Sequence, residues 1–146
     1  MKAFDPIAEV ENSAVVLDDG AWPNFHDAIV YSLSFWRGDM RPDDDVWIAP
    51  TIDATFELAA LAFPYVVDLR FHGCDAIHMA HFDHNNDIYD LSFAFEGRGF
   101  YADGITPLQP YVRVVFDLAH GSQSLRFRCF RVEALRRRNV PKPPCR

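Results

Sequence analysis

The chain has 146 residues, of which 49% are hydrophobic and 24% are charged, proportions that are ordinary for a globular protein and exclude overall disorder. No stretch approaches 18 consecutive apolar residues, so a transmembrane helix is excluded. The first residues lack the apolar run of a signal peptide, and three cysteines are too few for a disulfide scaffold. We therefore expect a cytoplasmic protein, with one domain over residues 1–138 and a proline-rich tail over 139–146.

Charge is distributed unevenly along the chain. The segment up to Gly104 contains 19 acidic and 5 basic residues, whereas the remainder contains 2 acidic and 9 basic residues, for a net charge of −7. An acidic body repels nucleic acid and attracts basic proteins, so the expected partner is a protein. The alternative is that these acids form a solvated surface that keeps the protein in solution.

In chain order, the first predicted strand covers 14–17 and is stopped by a turn that ends at Gly20. A clear period-2 alternation predicts a half-buried strand over 29–36. The stretch 46–58 is also extended, and Pro50 within it predicts an edge position or a bulge. Its predicted inward face is Ile52, Ala54, Phe56 and Leu58.

Alternating patterns continue in the second half of the chain. They predict strands at 67–72, 77–81, 88–95, 112–118 and 125–134. A turn at Gly73 predicts a hairpin between the first two of these, and a break of phase near Cys129 predicts a bulge. About seven strands with one or two short helices predict a mainly β fold, α+β at the margin. We expect an antiparallel sheet arranged as a sandwich or strongly curved.

The densest group of metal-binding side chains lies between residues 78 and 87. His81, Asp83 and His84 would meet in a loop there, with His26 or Asp27 as further ligands. No high-specificity metal motif is present, and turn-forming polar residues beside a sheet edge explain the same pattern. We therefore predict no cofactor. The alternative prediction is a small ligand- or metal-binding domain that uses these residues.

Catalytic motifs are absent from the sequence. There is no nucleophile elbow and no phosphate loop, and Cys129 in an alternating strand is expected to be a buried hydrophobe. His26 beside Asp27 is a possible general base, although local hydrogen bonding explains the pair as well. We therefore predict that the chain is not an enzyme.

One stripe of basic residues lies near the end of the chain. Arg126 and Arg128 share a face of the last predicted strand, and further arginines follow at 131 and 136–138. We expect these arginines to pair with acids on neighbouring strands rather than to bind RNA.

Several segments between residues 22 and 135 together resemble the immunity protein 50 family of bacterial polymorphic toxin systems. The first is Phe25-His26-Asp27-Ala28 with Val30 and Ser32, and the others follow in the same order. They are Thr55-Phe56-Glu57-Leu58, Val67-x-Leu69-Arg70-Phe71-x-Gly73, Phe82-x-His84-Asn85-Asn86-x-Ile88, and Gly121-Ser122 with Phe127-Arg128-Cys129 and 132–135. The family's glutamate after Ala28 is Ile29 in this chain.

This resemblance implies a cytoplasmic, non-catalytic inhibitor that binds a cognate toxin domain. It leaves the roles of six motif residues open, namely Phe25, His26, Asp27, His84, Asn85 and Asn86. Charge and aromatic content place the expected contacts in two acidic segments, with Trp36 or Trp47 as further anchors. The predicted contact residues are Asp43, Asp44, Asp45, Asp83, Asp87, Tyr89 and Asp90. The partner is expected to be basic, with no nucleic acid or membrane involved.

Overall fold

The structure is a computed structural model that describes residues 2–58, 65–80, 87–118 and 123–139. Helix α1 covers Pro6–Glu9, and a single 3-10 turn covers Ser13–Val15. The Asp5 side chain caps α1 by accepting a hydrogen bond from the Ile7 amide at 3.1 Å, as N-cap carboxylates do. Within the described ranges, neither helical segment is long enough to cross a membrane.

Most of the described chain is β structure, in ten strands and three antiparallel sheets. The strands are β1 Ile29–Trp36, β2 Asp39–Met40, β3 Trp47–Ile48, β4 Thr51–Leu58, β5 Tyr65–His72, β6 Asp75–Met79, β7 Asp90–Glu96, β8 Tyr111–Asp117, β9 Gln123–Cys129 and β10 Arg131–Arg138. The first sheet has the order β1-β4-β5-β10, the second has the order β6-β9-β8-β7, and β2 pairs with β3 alone. The predicted mainly β, antiparallel fold is confirmed.

The two four-stranded sheets pack face to face through phenylalanine rings. Phe56 in the first sheet lies 5.4 Å from Phe116 in the second, measured between ring centroids. Phe71 and Phe127 make a similar contact at 5.0 Å with an edge-to-face angle of 79°. All four rings are buried, and such pairs add to the stability that their burial provides. The core of the sandwich therefore lies between these sheets.

Period-2 alternation correctly predicted which side chains of the first sheet point inward. Ile52, Ala54, Phe56 and Leu58 of β4 are all buried. In β1 the alternation is interrupted, because the register against β4 shifts between Val30 and Ser32. Tyr31 is the bulged residue, and this bulge reverses the faces of the residues that follow.

The predicted hairpin at Gly73 is wrong, because β5 and β6 belong to different sheets. Strand β6 pairs with β9, and Gly73 turns the chain across the sandwich with φ +72°. The chain crosses again at Phe130, so the predicted single strand over 125–134 is two strands, β9 and β10. The Phe130 amide donates to the His72 carbonyl at 2.9 Å, which places the two crossings side by side. An alternating pattern looks the same whichever sheet a strand joins.

Two further expectations are corrected. Residues 14–17 do not form a strand, since the 3-10 turn at Ser13–Val15 follows a left-handed residue at Asn12. The stretch 46–58 is divided into β3 and β4, and Pro50 lies between them. The Pro50 carbonyl accepts from the Cys74 amide at 2.8 Å. Proline ends β3 because it has no amide hydrogen to continue the ladder.

Candidate binding surface

A short two-stranded arm extends from the end of β1. We call residues 39–48 the arm, in which β2 pairs with β3 through Met40 opposite Trp47. Gly38 leads into it with φ +83°, and a Cβ there would lie 2.1 Å from the Ile48 carbonyl oxygen. Only glycine permits that close approach of two backbones. The sequence therefore fixes the place where the arm leaves the first sheet.

The tip of the arm holds the three consecutive aspartates, and they have different environments. Asp44 accepts from the Arg41 guanidinium and from the Val46 amide, the latter at 3.2 Å, so it closes the loop. Asp43 and Asp45 are exposed, and their carboxylates have no hydrogen-bond or ion-pair partner among the described residues. The predicted acidic contact group is thus divided into one structural carboxylate and two that are free to meet a partner.

Large apolar side chains are exposed in the arm and at the end of β1 beside it. Trp36 at the end of β1 is 46% exposed, and Trp47 in the arm is 50% exposed. The neighbouring exposed apolar residues, which the sequence did not single out, are Phe35, Met40, Val46 and Ile48. Exposed aromatic groups and methionine beside polar groups are typical of protein–protein contact surfaces. We call Phe35, Trp36, Met40, Trp47 and Ile48 the aromatic patch.

Of the other predicted contact residues, Asp87, Tyr89 and Asp90 lie at the opposite end of β1. The His26 ring lies 4.8 Å from the Tyr89 ring and 3.0 Å from the Asp27 carboxylate. The Asp27 amide donates to the Ile88 carbonyl at 2.9 Å, which fixes this corner to the start of β7. Asp87 and Asp90 flank it, and both are exposed.

The arm and the His26–Tyr89 corner do not form one compact site. They lie at the two ends of β1, an eight-residue strand that spans roughly 25 Å at about 3.3 Å per residue. Phe25, the first residue of the motif, is not a surface residue at all. Its buried ring packs edge-to-face on Phe56 at 5.1 Å, so its role in this structure is in the core.

His81, Asp83, His84, Asn85 and Asn86 lie outside the described residues, so the metal-binding alternative stays a prediction. Of its proposed ligands, His26 and Asp27 are described. Among the residues that the structure describes, no group of three or more histidine, cysteine, aspartate or glutamate side chains is arranged to hold a metal ion.

Most arginines of the last two strands pair with acids within the chain. Arg128 donates to the Asp75 carboxylate through Nε at 2.9 Å and Nη2 at 2.8 Å, and Arg131 donates to Glu11 at 2.6 Å. Arg136 and Arg138 both reach Asp68. The expected pairing with acids on neighbouring strands is thus confirmed for Arg128, Arg136 and Arg138. Arg131 instead pairs with an acid of the N-terminal segment, and Arg126 forms no ion pair with any described residue.

The two described thiols are poor nucleophiles. Cys74 and Cys129 are both buried and free. Burial raises the pKa of Cys74 to about 12, and burial likewise raises the pKa of Cys129 well above its ordinary value. A thiolate is the reactive form of cysteine, so both groups belong to the core.

Comparisons with protein-family models, with curated proteins and with solved structures find no match to this chain.

Proposed function

We propose that this chain is a non-catalytic immunity protein of the cytoplasm that binds and neutralises a cognate, basic toxin domain through the arm. The observation that carries the proposal is the exposed aromatic patch in and beside the arm, which also carries the unpaired carboxylates of Asp43 and Asp45. Tryptophan and methionine supply apolar contact area at the centre of an interface. Free carboxylates at its rim attract a basic partner and accelerate the encounter.

Two other features support an inhibitor that acts by contact. The first is the acidic excess before Gly104, which includes the arm. The second is the order of motifs that resembles the immunity protein 50 family. An acidic surface suits a toxin whose active cleft is basic, because the inhibitor then covers the cleft and blocks its substrate.

The test compares two aromatic residues of equal exposure at the two ends of β1. Trp47 and Tyr89 are each 50% exposed, so Trp47→Ala and Tyr89→Ala are matched variants. Immobilised wild-type protein and both variants are incubated with lysate of the source organism, and captured proteins are quantified by mass spectrometry. We expect a basic protein that wild type and Tyr89→Ala retain and that Trp47→Ala loses by about 30-fold or more, as for a hot-spot residue.

The captured protein is then produced in a bacterial host, alone and together with this chain. We expect growth to stop when it is produced alone and to recover when the wild-type chain is present. Recovery should fail with Trp47→Ala. A captured protein that does not inhibit growth would contradict the proposed function, and equal rescue by wild type and Trp47→Ala would contradict the assignment of the arm.

A further inference from the structure

The outer face of the second sheet presents two arginines, Arg113 and Arg126, that pair with no acid among the residues that the structure describes. Across this sheet, Arg113 of β8 pairs with Ala94 of β7. Val115 of β8 pairs with Ser92 of β7 on one side and with Arg126 of β9 on the other. Arg113 and Arg126 are therefore diagonal neighbours on adjacent strands, with Cα atoms about 7 to 8 Å apart. Both side chains are exposed. Their guanidinium groups are within reach of one shared ligand.

The contrast with Arg128 on the same face shows why these two are available. Arg128 is held by Asp75 at 2.8 Å and by Glu96 at 3.6 Å, and it stacks over the Tyr111 ring at 4.2 Å. Arg113 and Arg126 form no ion pair with any residue in the described ranges, although the protein carries a net charge of −7. Two adjacent like charges with no acid directly paired to either repel each other, and an anion bound between them would reduce that repulsion.

The two arginines line a depression of about 400 Å³, which is within the size range of small-molecule sites. It exists because the adjacent positions of β7 are small, namely Ser92 and Ala94, while Val115 provides an apolar surface beside them. At its other end Ser92 donates to the Asp117 carboxylate at 2.8 Å. The depression is therefore cationic at one end and able to accept hydrogen bonds at the other.

We propose that this depression binds a phosphate group, free or as the monoester of a small hydroxylated molecule. A phosphate dianion has three terminal oxygens, enough to accept from two guanidinium groups, whereas a carboxylate is satisfied by one. Hydroxyl groups of an ester would donate to Asp117. This face is distinct from the arm, so the inference goes beyond the proposed function and does not depend on it.

The test is isothermal titration calorimetry of the full chain at low ionic strength, with inorganic phosphate and ribose 5-phosphate as probes. We expect both probes to bind. We expect Arg113→Gln and Arg126→Gln each to weaken binding by about tenfold or more, since each removes charge-assisted hydrogen bonds. Arg37→Gln is the matched control, because Arg37 is exposed, changes the net charge equally and lies outside the depression. Its affinity for both probes should equal that of wild type.

The probes also distinguish the two sources of phosphate. Tighter binding of ribose 5-phosphate would identify a monoester, and equal binding would identify free phosphate. The proposal is overturned if neither probe binds, or if Arg37→Gln weakens binding as much as Arg113→Gln does. It is also overturned if sodium chloride of equal ionic strength produces the same heat. Arg113 and Arg126 are exposed, so the variants should fold, and thermal unfolding checks this.

Discussion

The outer face of the first sheet and the arm contain the same kinds of acidic side chain in opposite situations. On the sheet, Asp68 is buried and accepts from the Thr55 hydroxyl at 2.6 Å and from Arg136 at 2.7 Å, with Arg138 as a further partner. Neighbouring Asp53 binds Arg70 with both carboxylate oxygens. Both carboxylates are therefore already paired with side chains of the same chain.

On the arm, Asp43 and Asp45 have none of these contacts among the described residues, and the apolar side chains beside them are half exposed. A buried, fully paired carboxylate contributes to folding, whereas an exposed carboxylate beside tryptophan adds little to stability. The difference indicates that acidity alone does not assign a function. A carboxylate is a candidate for binding a partner only where it has no partner among the described residues of its own chain.

The largest effect should come from the core that supports both regions. Phe71→Ala removes a fully buried ring from its contact with Phe127, so we expect the free energy of unfolding to fall by about 3 to 5 kcal/mol. Trp47→Ala in the arm should change it by no more than about 0.5 kcal/mol. Urea unfolding followed by circular dichroism measures both. A large loss in Trp47→Ala would mean that the aromatic patch belongs to the core.

The two classes of carboxylate can be compared directly with Asp68→Ala and Asp43→Ala. Removing Asp68 leaves Thr55, Arg136 and Arg138 without their shared acceptor, and we expect a loss of about 2 to 4 kcal/mol in the free energy of unfolding. Asp43→Ala should stay within about 0.5 kcal/mol of wild type. The same urea titrations test this, and similar losses in both variants would remove the distinction between the two regions.

The sequence predicts the features that depend on local pattern better than those that depend on contacts between distant residues. Alternation along β4 and β5 correctly predicted which face points into the sandwich, because burial on one face imposes a period of two. It did not predict that Glu57 and Asp68, on the opposite face, are buried as well. Alternation could not predict which strands pair, since the chain passes from one sheet to the other at Gly73 and Phe130, and these crossings depend on contacts between distant residues. Internal use of the arginines was predicted from the excess of acids on earlier strands.

The candidate site was predicted in part. The triple aspartate and the two tryptophans were singled out, but no pattern in the sequence placed them together. The arm itself was missed because its strands have two residues each, too few to show a period. The one residue that marks the start of the arm is Gly38. The reason that glycine is needed there is its close approach to the Ile48 backbone, which the sequence does not show. Asp44 was grouped with Asp43 and Asp45 because identical neighbours cannot be told apart without their contacts.

Gly38 offers a way to remove the arm while keeping the sandwich. In Gly38→Ala the new Cβ meets the Ile48 carbonyl oxygen, and φ is +83°, so we expect a cost of about 1 to 3 kcal/mol that falls on the arm alone. Hydrogen exchange should accelerate at the β2 and β3 amides while the amides of β4 and β5 stay protected. Gly20→Ala is the matched control, since its φ is +80° and a Cβ there meets nothing within 4 Å. Equal acceleration throughout the first sheet would show that the arm and sheet unfold together.

Alkaline pH should weaken the core and spare the arm. The ordinary pKa of a cysteine thiol is 9.0, and burial raises the pKa of Cys74 to about 12. Below pH 9 both the folded and the unfolded chain keep the thiol protonated, so its contribution to stability is fully present. Above pH 9 the unfolded chain loses the proton first, and stability falls by up to about 1.4 kcal/mol per pH unit for each buried thiol.

The measurement compares wild type with Cys129→Ala, because burial also raises the pKa of Tyr31 and Tyr65 and these add to the alkaline loss in both proteins. We expect wild type to lose about 1 kcal/mol more than Cys129→Ala between pH 9 and pH 10. Urea unfolding at each pH gives the two slopes. Parallel slopes would mean that Cys129 ionises as easily in the folded chain as in the unfolded one, which a fully buried thiol cannot do. In a chain whose other two tryptophans, Trp22 and Trp36, are replaced by phenylalanine, Trp47 fluorescence should report an unchanged arm over the same interval, since no cysteine or tyrosine lies within residues 39–48.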